Sequence, residues 1–176
     1  MPPKVRERLR VNRNGWVLYN AGFRKASRGY LQNFPRDSLE AGILLEDPKM
    51  LHDQLEFGAL NQATKKDPKT GAEPGKYHHQ MPGVIIRGLS TDYNSCDSNA
   101  WALLGYAEYF RLTRDRKFIK KHKYDIRKGV DEYVLSHLNK DFYFTEDPRF
   151  SGAQRFALRV TYWKDSVLPQ RKAGEP

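Results

Sequence analysis

The chain has a single cysteine, Cys96, among 176 residues, which excludes an intrachain disulfide framework and any metal site built on paired thiolates. No run approaches the roughly eighteen consecutive apolar residues of a membrane span. The first ten residues, "MPPKVRERLR", have no apolar stretch after their charges, so no secretory signal is read there. A reducing, cytoplasmic setting is expected. Apolar residues are themselves sparse, at 39% hydrophobic content and a mean hydropathy of −0.80. Against that stands an aromatic complement of ten Tyr, nine Phe and three Trp, too rich for a disordered chain. A chain of this length buries roughly two-thirds of its unfolded surface, so residues 1–176 are read as one domain, or a piece of a larger one.

Charge is unbalanced, with 31 Lys and Arg against 21 Asp and Glu. Much of the excess lies in "KVRERLRVNR" (Lys4 to Arg13) and "RDRKFIKKHK" (Arg114 to Lys123). Such runs attract polyanions, but in the second one Phe118, Ile119, His122, Ile126 and Val130 recur at helical spacing and leave the lysines outside. It reads as a solvated helix face, so neither nucleic acid nor a membrane is expected as partner.

Helical patterns dominate the rest. "SLEAGILL" predicts a short helix from Ser38 to Leu45 capped by Asp37 or Ser38. Asp47 and Pro48 open a second helix, with Leu51, Leu55 and the Phe57–Leu60 cluster on one side. A Gly-, Pro- and Lys-rich loop follows. A third helix starts near Asp97 and carries Trp101, Leu104, Tyr106, Tyr109 and Phe110; a fourth spans about Arg116 to Leu138. "KDFYFTED" and "RFALRVTYW" alternate as short strands do. Paired helices separated by long polar loops predict a mainly α fold of helical hairpins.

Acids gather in loops and at helix starts. "NFPRDS" sets Arg36 beside Asp37, either a helix cap with a surface ion pair or a clamp for adjacent sugar hydroxyls. "GAEPGKYHHQ" carries Glu73, Lys76, His78 and His79, without the spacing of a phosphate loop or a further ligand for a metal. "STDYNSCDSNAW" presents Tyr93, Asn94 and Asp97, the last either a cap or a site residue, with Cys96 read as a packed thiol. Finally "VTYWKDSVLP" puts Asp165 behind Tyr162 and Trp163 and beside Lys164, an acid at the edge of an aromatic floor.

In this order, "FPRDSLEAG", "DPKTGAEPGKYHH", "YNSCDSNAW" and "YWKDSVLP" resemble the amylo-α-1,6-glucosidase part of glycogen debranching enzymes, which are six-hairpin glycosidases, from roughly Tyr19 to Pro169. The resemblance implies an (α/α)6 barrel, of which this chain would supply about half, with the sugar site in the loops at one end. It maps terminal-glucose binding to Arg36 and Asp37, and pocket lining to Glu73, Lys76, His79, Tyr93, Asn94 and Asp97. The general acid maps to Asp165, with Trp163 as ring contact. Two positions depart from the family: Gln80 stands where many members carry Glu, and Tyr162 where a small residue is usual.

The resemblance implies an inverting glycoside hydrolase acting on an oligosaccharide or α-glucan, with no cofactor. Inversion needs two carboxyl groups about 6.5–9.5 Å apart. Aromatic neighbours would favour protonated Asp165, but the only acid after it is Glu175. The expectation is therefore a domain truncated before its base, inactive or nearly so on its own and completed by the C-terminal half of the barrel. The alternative is a carbohydrate-binding or partner-binding remnant without catalysis.

Overall fold

In the computed structural model, residues 32–158 and 161 are described, together with the backbone of residues 10–13 and 16–19. The described chain is mainly helical. Strands β1 (Arg10–Arg13) and β2 (Trp16–Tyr19) form an antiparallel ribbon, and β3 (Ile85–Ile86) and β4 (Leu89–Ser90) a second, minimal one.

Helix α1 (Pro35–Leu44) begins three residues before the expected start. Pro35, lacking an N–H and fixed near helical φ, serves as its first residue, and Phe34 takes the cap position without a side-chain cap bond. Asp37 thus lies in the first turn, not at the cap. Helix α2 (Pro48–Leu60) follows the predicted acid-then-proline start: the Asp47 carboxylate accepts from the amides of Lys49 and Met50. Helix α3 (Ser98–Thr113) ends at Arg114 in a left-handed conformation, its amide donating to the Phe110 carbonyl. The expected fourth helix is broken. It comprises α4 (Arg116–Lys121), α5 (Lys123–Lys128), a π-helical turn at Gly129–Val134 and a 3-10 turn at Leu135–His137.

Three helices and a loop make the core. Leu39 of α1, Leu51 and Leu55 of α2, and Ala102, Tyr106 and Tyr109 of α3 pack with Tyr77 and Phe118. Gly105 permits the α1–α3 approach, because a Cβ there would lie 2.8 Å from Leu39 Cδ2. The aromatic side of this core is tilted rather than stacked, with Phe118 4.5 Å from Tyr109 and 4.6 Å from His122 between ring centroids. Phe118 and His122 point inward as the basic run predicted, while Ile119 and Ile126 are partly buried against them. Leu60 and Leu104, expected on apolar faces, are exposed.

The two strands expected near the C-terminal end are not formed among the described residues. "KDFYFTED" folds as a turn closed by a single Leu138–Phe144 bridge, and Pro148–Ser151 is a 3-10 turn. Asp147 caps that turn, which lies between the two expected strands, and residues 159, 160, 162 and 163 of the second lie outside the described residues. No helix of the described residues is long and apolar enough to cross a membrane.

Candidate functional site

The first turn of α3 organises the polar groups. Asn99 donates to the Gly75 carbonyl (2.8 Å) and accepts from the Tyr77 amide (2.8 Å), which lays the 73–77 loop across the helix start. Gly75 has φ +79°, a conformation that glycine adopts without penalty. Its neighbours Glu73 and Lys76 are thereby turned into the protein.

Lys76 is wholly buried. Its ammonium lies 2.7 Å from Glu146 Oε1 and 3.4 Å from Glu73 Oε1, under the rings of Tyr133 and Phe156 at 5.3 and 5.4 Å. Glu146 also accepts from the Thr161 hydroxyl. Glu73 Oε2 lies 3.0 Å from His137 Nε2, though out of line for a hydrogen bond, and His137 Nδ1 donates to the Tyr133 carbonyl at 2.7 Å. A buried ammonium between two carboxylates is the arrangement in which a lysine can stay charged out of water.

The second group adjoins the first through residues 95–97. Arg36 reaches across from α1 to pair with Asp97, 3.1 Å from Nη1 to Oδ2. Asp97 also accepts from the Ser95 hydroxyl. Asp97 occupies the cap position of α3 but makes no side-chain cap bond, so the helix-cap reading of this acid is corrected: its carboxylate is committed to Arg36. Arg36 likewise pairs with Asp97 rather than with adjacent Asp37. Burial raises the Asp37 carboxyl above its usual range, opposed by Arg36 and its own helix amide and reinforced by Glu40 and Asp97. The Cys96 thiol is pushed up to about 12, by burial first and then by Glu146 and Asp97. It stays a thiol at neutral pH, which fits the packed role expected of it.

The Arg36–Asp97 pair and the Lys76 cluster lie on either side of Cys96, which Asp97, Glu146 and Lys76 all influence, near the N-terminal ends of α1 and α3, where helix dipoles favour negative charge. The other expected residues are engaged differently. The Tyr93 hydroxyl donates to the Asn61 carbonyl at 2.7 Å, which holds its side chain on the 61–70 loop. Asn94 accepts from the Leu158 amide at 3.1 Å, next to Gly71, and so splints the two loops beneath the site. His79 packs edge-on to Phe34 and lies 3.2 Å from the Thr91 carbonyl. Tyr162, Trp163, Lys164, Asp165 and Glu175 lie outside the described residues.

The adjacent histidines do not converge on a common point. His78 Nε2 bonds Asn33 at 2.9 Å in a buried network with Gln54, and burial, aided by His79, lowers its pKa to about 3. It is a neutral core histidine. Among the described residues no group of three or more His, Cys, Asp or Glu is placed to hold a metal ion.

Sequence reading missed Glu146, His137 and Tyr133. Glu146 sits in a segment read as strand, where alternation hid it, and nothing in its neighbourhood foretells a contact 70 residues away. His137 lies four residues after Tyr133, on the same helix face, where the helix widens into a π turn at Gly129–Val134 and then tightens into a 3-10 turn at Leu135–His137. Such irregular turns often occur at functional sites. A separate apolar cavity of about 430 Å³ lies among Leu103, Tyr106, Ala107, Phe110, Ile119 and Ile126, and contains none of these residues.

Comparison with models of known protein families finds none that matches the chain, and comparison with curated proteins finds no match either.

Proposed function

We propose that this chain is a glycoside hydrolase-type domain resembling the amylo-α-1,6-glucosidase part of glycogen debranching enzymes. In this reading its helices are about half of an (α/α)6 ring. Its ligand is an α-glucan or a related oligosaccharide, cleaved by an inverting acid/base mechanism. The supporting observation is the gathering of Arg36, Asp37, Glu73, Lys76 and Asp97, remote in sequence, near the N-terminal ends of α1 and α3.

The chemistry suits a sugar. The partly exposed Asp97 carboxylate, held by Arg36, presents a fixed acceptor, and the Arg36 guanidinium fixed donors, the pattern that adjacent hydroxyls require. Protonation of the departing oxygen is assigned to Asp165 through the resemblance, with Trp163 beside the ring. Arg36 and Asp37 hold the terminal sugar, while Glu73, Lys76, His79, Tyr93, Asn94 and Asp97 line or support the pocket.

One observation favours the second reading, carbohydrate binding without turnover. Glu73 and Glu146 are tied to Lys76, and Asp97 to Arg36. Carboxylates locked in such pairs orient hydroxyls but are poor proton shuttles. Calorimetry with maltooligosaccharides, alongside glucose release from a limit dextrin, tests both readings. Binding weakened by Arg36→Met and Asp97→Asn is expected. Turnover abolished by Asp165→Asn favours the hydrolase, and binding without turnover the second reading. Absence of any saccharide binding overturns both.

A further inference from the structure

The turn after His137 spends conformational strain to display aromatic rings. Asn139 Oδ1 accepts from the amides of Asp141 (2.9 Å) and Tyr143 (3.0 Å). The Asn139 amide donates to the Tyr143 carbonyl (2.9 Å), and the Phe142 amide to the Asn139 carbonyl (3.0 Å). This closed set of bonds holds Phe142 at φ +62°. Glycine or asparagine is the usual occupant of such a position, and for a bulky residue it is a genuine outlier. Yet the Phe142 side chain gains no burial in return: it is 82% exposed, and Tyr143 beside it is 70% exposed. A strained position that exposes a large ring invites a functional explanation.

The turn is also anchored to the candidate site. Phe144 stacks on the His137 ring at 5.3 Å and 10°, and His137 faces Glu73. The Thr145 amide and hydroxyl both donate to the His137 carbonyl, and the next residue, Glu146, grips Lys76. Four peptide steps separate Phe142 from Glu146, so their Cα atoms are at most about 14 Å apart.

We propose that Phe142 and Tyr143 form an aromatic platform at the rim of the site that stacks on a more distant sugar ring of a bound oligosaccharide. This rests on the saccharide reading of the site and adds to it a second point of contact, on a sugar ring away from the charged cluster. A sugar ring offers a C–H face to an aromatic surface and hydroxyls at its edge, and exposed Lys140 and Asp141 flank the rings as edge partners. Two rings supply roughly 300–500 Å² of contact. A stable protein interface takes about 800 Å² from each partner, which favours the small rigid ligand. Exposed Asp141, next to Phe142, would have to be desolvated against a lipid surface.

The test is calorimetric titration of the full chain with glucose, maltose and longer maltooligosaccharides, comparing wild type with Phe142→Gly and Tyr143→Ala. Glycine relieves the φ strain, so Phe142→Gly should fold with an unchanged or raised midpoint of thermal unfolding. Wild-type affinity should rise with oligosaccharide length. Each variant should lose about three- to tenfold on the long oligomers and nothing on the shortest one that binds. Equal affinities of wild type and both variants at every length overturn the platform while leaving the site reading intact. If wild type binds no saccharide, the site reading fails and the platform fails with it.

Discussion

Gly75 links backbone conformation to the arrangement of the site, and its replacement can be worked through from the structure. The residue has φ +79°, and a Cβ there would lie 2.3 Å from the carbonyl oxygen of Lys128 and 2.9 Å from its carbon. Neither partner can yield cheaply. The Gly75 amide donates to Ala63 O at 2.9 Å, and its carbonyl accepts from Gln62 and Asn99 at 2.9 and 2.8 Å. Gly88 and Gly152 supply the control, because they share the left-handed φ, at +83° and +86°, but an added Cβ meets nothing within 4 Å. Gly88→Ala should therefore cost only the backbone penalty, about 1 kcal/mol. Gly75→Ala adds an overpacking cost of about 1–3 kcal/mol, for a total near 3 kcal/mol. Thermal unfolding should separate the two variants by about 4–8 °C at this chain size. Gly75→Ala should also weaken saccharide binding, since the residue sits between Glu73 and Lys76, whereas Gly88→Ala should not. Equal unfolding midpoints for Gly75→Ala and Gly88→Ala would refute the close approach to Lys128 as the constraint.

Lys76→Met leaves the buried carboxylates of Glu73 and Glu146 without their cation and should cost about 3–5 kcal/mol, read by urea unfolding; a Lys76→Met, Glu73→Gln, Glu146→Gln combination should recover part of that loss. Glu56 is buried, which alone would raise its pKa, but hydrogen bonds from Lys121 and His122 outweigh burial and hold the carboxyl below its ordinary value of 4.5. A depressed folded pKa contributes stability above the unfolded value and loses it as pH falls through the folded one. The stability gap between wild type and Glu56→Gln, present at neutral pH, should accordingly close during an acid titration below about pH 4.5, and a gap that persists there would count against the ion pair as its source.

What could be read from sequence followed how local each determinant is. The α2 start was legible because Asp47 and Pro48 act within one turn on their own helix. The inward set Phe118 and His122 was legible because periodicity alone separates them from the lysines. The α1 start was missed because Ser38 and Asp37 have the chemistry of caps, whereas Pro35 had already fixed the helix upstream and Ser38 is buried. His122 breaks the fourth helix although its spacing continues the apolar face, since its ring is held between Glu56 and Asp125, both at 2.9 Å. Asp125 is a local partner three residues on, but Glu56 lies 66 residues away and leaves no local trace. For the same reason Arg36 and Asp97 were each legible as polar groups of interest, but their pairing across 61 residues was not. Glu146 shows the limit most clearly: its segment has strand-like alternation, and only the folded loop reveals a carboxylate facing Lys76.

On the saccharide reading proposed above, the placement of these charges serves binding rather than stability. A buried lysine between two carboxylates is at best a neutral device for holding a domain together, because apolar side chains of similar volume do as well or better. The core of this protein demonstrates the cheaper solution, with leucines and aromatics joining α1, α2 and α3. Some of the polar cost falls near Lys76 and the start of α3. The Tyr133 hydroxyl, on a side chain with no exposed surface, and the Ser98 hydroxyl both lack a hydrogen-bond partner among the described residues. Tyr133 is held un-ionised by burial, and the nearby Glu146 and Glu73 charges reinforce this. It therefore keeps a proton to donate. Its neighbours Lys76, Glu73 and Glu146 fix both signs of charge within a few ångströms. A fold selected only for stability would replace this cluster with the packing seen on the other side of α3; a fold that must hold a hydroxyl-rich ligand would keep it.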